Sequence, residues 1–318
     1  MNIVAVTGAT GFVGSALCSA LAGAHRVRRL LRAPASPRDG CEDIVVGDLA
    51  DAALDAACQG AEAVIHLAAR THVMREHAAD AEAAYRRINV EGTRRLAEAA
   101  VRAGVRRCVF LSSIKVNGEA THGAPYTEAS IPAPEDAYGR SKLEAEQTLA
   151  AVANTAMDTV VLRPPLLYGP GVKGNLLTLL RALARGLPLP LAAIDNRRSM
   201  LGLDNLVCAL MLAMTHPAAA GRTFLVADGE DLSSPQLARL IAAGLGTPAR
   251  LLPVPAPLLM LAGTLTGKRA AVARLTGSLQ IDAGAIRSAL SWRPPVPAAE
   301  GLARMGRWYD REVIHSKE

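Results

Sequence analysis

Short hydrophobic runs rich in β-branched residues alternate with longer amphipathic stretches through the first half of the chain. This alternation predicts parallel strands joined by crossover helices that are apolar on one face. The predicted strands are Ile3–Thr7, Arg26–Leu31, Asp43–Val46, Ala63–Leu67, Arg107–Ser112 and Asp158–Arg163, and the predicted helices lie near Val13–Leu21, Ala81–Ala103 and Tyr138–Asn154. We therefore predict an α/β fold, in which residues 1–163 form a Rossmann-type doubly wound parallel sheet.

The alternation ends after Arg163, where Gly and Pro separate shorter elements. Residues 164–318 are expected to form a smaller C-terminal domain. Its predicted helices lie near Leu176–Arg185, from Asp204 as the N-cap to Thr215, and from Ser233 to Ala243. The strand-like run Arg222–Val226 could return to the main sheet, so residues 198–228 could belong in part to the first domain.

One long apolar stretch, Leu251–Leu265, contains three prolines and is shorter than the roughly 20 residues that a membrane-spanning helix needs. It predicts a buried or interfacial segment, and we expect no membrane insertion. The chain begins with Met1-Asn2 and runs straight into a strand, without the basic region and cleavage site of a signal peptide. We therefore expect a cytoplasmic protein.

The chain has 318 residues, a formal net charge of +6 and 3% aromatic residues. Dispersed cations with few aromatic side chains do not favour a nucleic-acid partner, whereas an anionic small molecule explains the charge. The five cysteines are scattered without metal-ligand spacing, which predicts free thiols and no metal site.

A glycine-rich turn follows the first strand directly, with Gly8, Gly11 and Gly14 in a G-x-x-G-x-x-G spacing. The first glycine permits the tight turn, the second lets the backbone approach a pyrophosphate, and the third allows close helix packing. The turn therefore predicts a dinucleotide site, with further contacts from Thr10, Phe12 and Val13.

The end of the second strand usually decides between NAD and NADP, because an acidic residue there would bind the ribose 2′-OH and repel a 2′-phosphate. Here the run ends in Arg28-Arg29-Leu30-Leu31-Arg32 and contains no acid. Arg32, with Arg29, could pair with a 2′-phosphate; the alternative is that both are solvated edge charges. We expect NADP or NAD, with NADPH or dual use favoured.

Tyr138 and Lys142 are four residues apart at the start of a predicted helix and share one face. A tyrosine has a pKa near 10, and a neighbouring cation stabilises its phenolate. Ser113 ends a strand at the sheet edge where such folds bind ligands, so it could hold a substrate oxygen against Tyr138. These three residues are the predicted catalytic groups.

Together the turn, the strand-end serine and the Tyr-x-x-x-Lys pair resemble the extended short-chain dehydrogenase/reductase family, especially UDP-glucose 4-epimerase-like proteins and nucleotide-sugar 4-keto reductases. The resemblance covers nearly the whole chain. It implies that Asp48 and Leu49 contact the adenine, and that Leu67, Ala68 and Ala69 lie beside the pyrophosphate. It also implies that the segment with Pro165 passes the nicotinamide, to which Lys142 and Tyr138 are close. We assign no chemistry to His66.

The same resemblance implies a substrate domain for a UDP-sugar. Asn175 and Arg198 match positions that bind its phosphates or sugar, with Lys268 as a further candidate and an exposed arginine pair as the alternative at Arg198. Thr71 and Ser112 border the expected sugar site. A homodimer through the helices Ala81–Ala103 and Tyr138–Asn154 is also implied.

Two departures from the family's usual sequence narrow the choice of reaction. Dehydratases of this family carry an Asp-Glu pair after the catalytic Ser or Thr, but here Ile114-Lys115 follow Ser113. Dehydration is therefore disfavoured. The run Ser113–Gly118 also lacks the Tyr that most epimerases have before this glycine, and resembles an epimerase-like subgroup associated with O-antigen sugar synthesis. A 4-epimerase and a 4-keto reductase both stay open, and a non-catalytic NADP-sensing protein is the alternative from another class.

Overall fold

The computed structural model describes residues 2–71, 78–267 and 269–314. Seven parallel strands form its main sheet: β1 (Ile3–Thr7), β2 (Arg26–Leu31), β3 (Cys41–Val45), β4 (Ala61–His66), β5 (Arg107–Leu111), β6 (Asp158–Arg163) and β9 (Arg222–Leu225). Their order is β3-β2-β1-β4-β5-β6-β9. The order reverses between β1 and β4, where folds of this type bind ligands at the carboxyl ends of the strands. The predicted doubly wound fold is confirmed.

Two layers of helices cover the sheet, because alternate side chains of each strand point to opposite faces. In β1, Val4 and Val6 pack into one core while Ala5 packs into the other. The first core contains α1 (Phe12–Leu21), α7 (Leu203–Thr215) and α11 (Gly284–Leu290), and the second contains α2 (Asp55–Cys58), α4 (Gly92–Arg102) and α5 (Ala137–Ala153). The chain after Arg163 thus contributes one strand to the main sheet and two of the helices that cover it.

A second sheet and a third core lie in the C-terminal part. The sheet consists of β7 (Leu166–Tyr168), β8 (Arg198–Gly202) and β10 (Asp231–Leu232). Three helices form the third core with it: α6 (Gly174–Ala184), α8 (Ser234–Leu245) and α12 (Ala298–Tyr309). Two further helices, α9 (Ala256–Leu265) and α10 (Arg269–Thr276), pack mainly against each other. We call this pair the α9–α10 hairpin.

Two predicted helix boundaries need correction. The helix expected over Ala81–Ala103 is divided into α3 (Ala78–Tyr85), a π-helical stretch (Arg86–Glu91) and α4. Asp204 is not an N-cap, because the extended residue before α7 is Gly202, which places Asp204 inside the first turn. An acidic side chain is favourable at both places, since each lies near the positive end of the helix dipole. The sequence signal therefore does not separate the two positions.

Within the described residues, no helix has the length and apolar character needed to cross a membrane. The same part of the chain holds no group of three His, Cys, Asp or Glu side chains suited to a metal ion. All five cysteines are free thiols.

Candidate active site

The glycine-rich turn packs so closely on its neighbours that it tolerates no side chains at two positions. Gly8 has a φ of +66°, and a Cβ there would lie 2.8 Å from the amide nitrogen of Ala68. A Cβ on Gly14 would lie 2.1 Å from the carbonyl oxygen of Gly8. Among the described residues, no side chain caps α1 at its N-cap Gly11, so its first amides are available to an anion. The residues present therefore fit a dinucleotide.

Thr7 holds the end of β4 beside the glycine-rich turn. Its Oγ1 accepts hydrogen bonds from the amides of Leu67 and Ala68, each at 3.1 Å, and so holds the end of β4 beside the turn. Ala69 follows directly and is half-buried. Of the three residues predicted beside the pyrophosphate, Leu67 and Ala68 thus lie next to Gly8, and Ala69 follows them.

His66 continues this network into the core. Its Nδ1 lies 2.7 Å from Thr7 Oγ1 and its Nε2 lies 2.9 Å from Thr93 Oγ1, which donates to the carbonyl of Asn89. Because Thr7 already accepts two amides, its hydroxyl hydrogen points to Nδ1, and Nε2 carries the ring proton. Burial lowers the pKa of His66 to about 3, so the ring is a neutral structural link.

At the adenosine end, the predicted residues differ in their surroundings. Asp48 is half-exposed, accepts from the Ala50 amide at 3.1 Å and pairs with Arg87 at 3.2 Å. Leu49 is buried in the core formed with α2, α4 and α5. Contact of Asp48 with adenine stays a prediction. In the structure the Asp48 carboxylate instead pairs with Arg87.

The two arginines considered for a 2′-phosphate differ in their contacts and exposure. Arg29 is buried and makes a bidentate ion pair with Asp43, with both N–O distances 2.5 Å. This pairing raises the pKa of Arg29 and occupies its guanidinium, so Arg29 does not fit the shared role. Arg32 is exposed just after β2, where it remains a candidate.

Tyr138 and Lys142 lie in the first two turns of α5, whose N-cap Asp136 accepts from the Gly139 amide at 2.7 Å. Burial and the charge of Asp136 raise the pKa of Tyr138, and a hydrogen bond with Ser113 opposes this rise. Burial lowers the pKa of Lys142 to about 7. The structure thus brings Ser113, Tyr138 and Lys142 together.

The loop that carries Ser113 is held against the segment after β6. Ser113 caps a short 3₁₀ turn, and its Oγ accepts from the Lys115 amide at 3.2 Å. The amide of Ile114 donates to the carbonyl of Pro164 at 2.9 Å. Pro165 is buried next to it, which places the predicted nicotinamide segment at the same sheet edge as Ser113.

Ser112 has a different partner from the one expected. It is buried, and its hydroxyl donates to the carboxylate of Glu146 rather than pointing to the substrate side. Glu146 also pairs with Arg163 through bonds of 2.6 Å and 3.0 Å, and Arg163 donates to Asn117 at 3.1 Å. Because successive extended residues point to opposite faces, Ser112 faces this buried network while Ser113 faces Tyr138.

Glu146 and Arg163 were not among the site residues predicted from the sequence. Glu146 lies one helical turn after Lys142 and opposes the lowering of its pKa. A carboxylate at this spacing was the available signal, because residues 138, 142 and 146 share one helix face.

Asn89 is a second missed residue, and it lies in the π-helical stretch. Its Oδ1 accepts from the Arg70 amide at 2.7 Å, and its Nδ2 donates to the Arg70 carbonyl at 3.1 Å and to Ser141 Oγ at 2.9 Å. It therefore fixes the loop after β4 to α5, which carries Tyr138 and Lys142. π-Helical insertions are frequent at functional sites.

Thr71, predicted to border the sugar, is exposed in the segment after β4. Its carbonyl accepts from the Tyr85 hydroxyl at 2.7 Å, and the centre of the Tyr85 ring lies 6.1 Å from that of Tyr138. Tyr85 thus links Thr71 to the neighbourhood of Tyr138.

The predicted substrate residues of the C-terminal part lie on separate elements. Asn175 is exposed in the first turn of α6. Arg198 begins β8, and its Nη1 donates to the carbonyls of Arg274 and Gly277 at 2.8 Å and 3.0 Å. Burial lowers its pKa. Lys268 lies outside the described residues.

Comparisons with known proteins identify the family to which the chain belongs. The sequence model of the NAD dependent epimerase/dehydratase family matches residues 4–227. A UDP-glucose 4-epimerase of Vibrio cholerae is 41% identical over 305 residues, covering 94% of this chain and 93% of that protein. An N-acetyl-alpha-D-glucosaminyl-diphospho-ditrans,octacis-undecaprenol 4-epimerase of Escherichia coli O157:H7 is 29% identical, with 99% and 96% covered.

Solved structures agree with the sequence relatives. The structure of MoeE5 in complex with UDP-glucuronic acid and NAD is 27% identical and superposes with a TM-score of 0.79, covering 98% of this chain and 100% of that one. These matches confirm the predicted family and the cofactor class. The chain belongs to the NAD dependent epimerase/dehydratase family and is an extended short-chain dehydrogenase/reductase with epimerase-like chemistry.

Proposed function

We propose that the protein interconverts the C4 epimers of a UDP-hexose or a UDP-N-acetylhexosamine, with NAD as its cofactor. The observation that carries this proposal is the hydrogen-bonded pair Ser113–Tyr138, with Lys142 one turn further along α5. The relatives named as 4-epimerases and the complexes of MoeE5 with UDP-sugars support the same substrate class.

NAD, when bound, supplies the hydride acceptor that later returns the hydride. The amides at the start of α1 and the turn from Gly8 to Gly14 would hold its pyrophosphate. Tyr138 takes the proton of the C4 hydroxyl during oxidation and gives a proton back to the C4 oxygen during reduction. Ser113 holds that oxygen within reach of Tyr138. Turning of the 4-keto sugar between the two steps changes the face that is reduced.

Lys142 makes the proton transfer possible near neutral pH. Its pKa of about 7 means that both protonation states are populated there. In its charged form it stabilises the phenolate of Tyr138, whose pKa burial alone would raise. The Lys142 side chain is buried, so this interaction takes place away from solvent.

A second candidate function is the reduction of a UDP-4-keto-6-deoxy-N-acetylhexosamine with NADPH. The observation that favours it is Arg32, which is exposed at the end of β2 where no acidic residue stands. A reductase must exchange its cofactor at each turnover, whereas an epimerase restores it.

One experiment separates the two candidates. The protein is incubated with UDP-glucose, UDP-galactose or their N-acetylated forms and NAD, without added reductant, and products are resolved by chromatography. Interconversion of C4 epimers supports the epimerase. A parallel incubation contains NADPH and a UDP-4-keto-6-deoxy-N-acetylhexosamine. Stoichiometric consumption of NADPH there, with no interconversion in the first incubation, supports the reductase.

We also propose that the protein acts in the cytoplasm, where nucleotide sugars are used, and as a homodimer through α4 and α5. Sedimentation velocity checks the assembly: a dimer that dissociates on charge reversal at Arg140, an exposed residue of α5, supports this interface. A monomeric wild-type protein contradicts it.

A further inference from the structure

The α9–α10 hairpin exposes apolar side chains that a water-facing helix would normally replace by polar ones. Leu258, Leu261 and Leu265 are 57%, 58% and 79% exposed. Their spacing of three and four residues places them on one face of α9. Among the residues of the hairpin whose burial is described, only Gly263 is buried. Single exposed leucines are common, but a contiguous apolar face marks an interaction surface.

The hairpin presents this face from a fixed position. At Gly263 the two helices pack so closely that a Cβ would lie 2.8 Å from Cγ2 of Val272. The carbonyl end of α10 is held by side chains of the C-terminal part: Leu275 O accepts from Ser234 Oγ at 2.7 Å and from Asn196 Nδ2 at 3.2 Å. The apolar face is therefore part of the fold.

The segment that contains the hairpin carries cations and no acidic residue, and Glu119, outside this segment, lies 3.9 Å from Arg274. Residues 232–281 contain no Asp or Glu and five cations, namely Arg239, Arg250, Lys268, Arg269 and Arg274. This segment thus holds five of the six net positive charges of the chain. Arg250 and Arg269, on either side of α9 along the chain, are both exposed.

We propose that the outer face of the α9–α10 hairpin binds the surface of a bilayer that contains anionic phospholipids. The three leucines would enter the boundary between headgroups and acyl chains, and the arginines would contact the phosphates. A helix with apolar residues on one face and cations beside it binds membranes in this way, because the cations are attracted to the anionic surface.

A second copy of this chain fits the same face less well. A two-fold contact through this face would place each hairpin against its own copy and bring exposed hairpin cations such as Arg269 towards those of the partner. Like charges at an interface oppose association. The apolar face and the charge together therefore favour the anionic surface.

Membrane attachment here would also place the substrate site near the bilayer. Arg198, the candidate for the substrate diphosphate, donates to carbonyls at the end of α10. The base of the hairpin is thus in direct contact with the proposed substrate region, although the attachment does not depend on which sugar reacts.

Vesicle sedimentation tests the proposal with the full-length protein. Wild type is mixed with vesicles of phosphatidylcholine alone or of phosphatidylcholine with phosphatidylglycerol. We expect binding to the anionic vesicles, weakening with added salt, and at least tenfold weaker binding to neutral vesicles. Wild type that remains in the supernatant with anionic vesicles overturns the proposal.

Variants of the face sharpen the test. The triple variant Leu258→Gln/Leu261→Gln/Leu265→Gln retains good helix formers, and we expect at least tenfold weaker binding to anionic vesicles. The matched control Val45→Gln/Ile131→Gln/Leu187→Gln removes three exposed apolar residues elsewhere and should bind like wild type. Equal binding by both triple variants overturns the proposal.

Two further measurements cover the remaining outcomes. Arg250→Glu/Arg269→Glu changes exposed residues alone and should also weaken binding at least tenfold, so a folding defect in the leucine variant does not decide the test. Sedimentation velocity without lipid should give the same assembly for wild type and the leucine variant. A smaller assembly for that variant assigns the face to contact between copies and overturns the proposal.

Discussion

The catalytic edge of the main sheet and the α9–α10 hairpin distribute polar and apolar groups in opposite ways. At the edge, Lys142, Glu146 and Arg163 are buried, while on the hairpin Leu261 and Leu265 face solvent. Proteins usually bury apolar groups and expose charged ones. Both regions depart from this rule, and the departures indicate different functions. Buried charges hold a reacting group in position, whereas exposed leucines form an interaction surface.

The two regions also differ in how substitutions should act. Glu146 and Arg163 form a buried ion pair at the edge, so removal of one leaves the other unsatisfied in a poorly solvated site. The outward side chains of the hairpin lose little when changed, because they are already in water. We therefore expect large effects on activity and stability at the edge and small effects on stability at the hairpin.

The largest expected effect is on turnover by Tyr138→Phe. Loss of the hydroxyl removes the proton transfer, and general acid–base groups contribute about 10²–10⁴-fold to rate. We expect kcat to fall by about 10³-fold, with NAD affinity, measured by fluorescence titration, within twofold of wild type. An unchanged kcat would contradict the assignment of Tyr138.

The next effect is on stability, at Glu146→Gln. The substitution leaves Arg163 buried without its counter-charge and should lower the free energy of unfolding by about 3–5 kcal/mol. Glu144→Gln is the matched control, since Glu144 pairs with Arg86 on the surface and should change stability by less than about 1 kcal/mol. Urea unfolding measures both. Equal effects would remove the distinction between a buried and an exposed pair.

Gly14→Ala tests the close packing of α1 on the turn. The added methyl group would overlap the carbonyl of Gly8, so we expect a loss of about 1–3 kcal/mol in unfolding free energy, together with weaker NAD binding. Gly23→Ala is the control, because a Cβ there meets nothing within 4 Å. NAD affinity that is the same in both variants would argue against the turn as the cofactor cradle.

Lys142→Met should abolish turnover yet stabilise the fold near pH 7. Burial lowers the folded pKa of Lys142 to about 7, while an exposed lysine titrates near 10.4. Between these values the unfolded chain binds more protons, so wild-type stability rises with pH and the advantage of the variant shrinks by up to about 1.4 kcal/mol per pH unit. Thermal unfolding from pH 7 to pH 9 measures this.

Lys115→Met is the control for that pH series. Lys115 pairs with Glu119 and Asp136, which raises its folded pKa, so its contribution to stability is fully present below its unfolded pKa. We expect Lys115→Met to be destabilised by a nearly constant amount from pH 7 to pH 9. Parallel pH profiles of the two variants would contradict the assigned pKa of Lys142.

The smallest expected effect is the stability change of Leu261→Ala on the hairpin. It should lower the free energy of unfolding by less than about 0.5 kcal/mol, as is usual for surface substitutions. The same substitution at the buried Leu149 of α5 should cost about 2–5 kcal/mol, because it leaves a cavity. If both variants lose the same stability, the hairpin is part of the core and its face is not free.

Local patterns carried the prediction of the fold. The strands Ile3–Thr7, Arg26–Leu31 and Asp158–Arg163 were predicted with the bounds that the structure has. Short apolar runs bounded by polar or turn residues define strands without reference to distant parts of the chain. The glycine-rich turn and the pair Tyr138–Lys142 were found for the same reason.

The partners that a residue meets from distant parts of the chain were not predictable from one sequence, even where the residue itself shares a helix face with a predicted site residue, as Glu146 does. Glu146 meets Ser112, 34 positions away, and Asn89 meets Ser141, 52 positions away. Ser112 was therefore placed on the substrate side, although its hydroxyl belongs to a buried network. Likewise, the apolar character of Leu251–Leu265 does not reveal whether protein or another medium covers it. Periodicity shows which face of a helix is apolar but not what packs against that face.

The central claim is that hydride leaves and returns at C4 of the same sugar while Tyr138 moves the proton. The most direct test follows UDP-glucose and NAD with the protein in D₂O, without reductant, by proton NMR. We expect formation of UDP-galactose that keeps its original hydrogen at C4. Deuterium at C4, or no interconversion of any UDP-hexose or UDP-N-acetylhexosamine under these conditions, would contradict it.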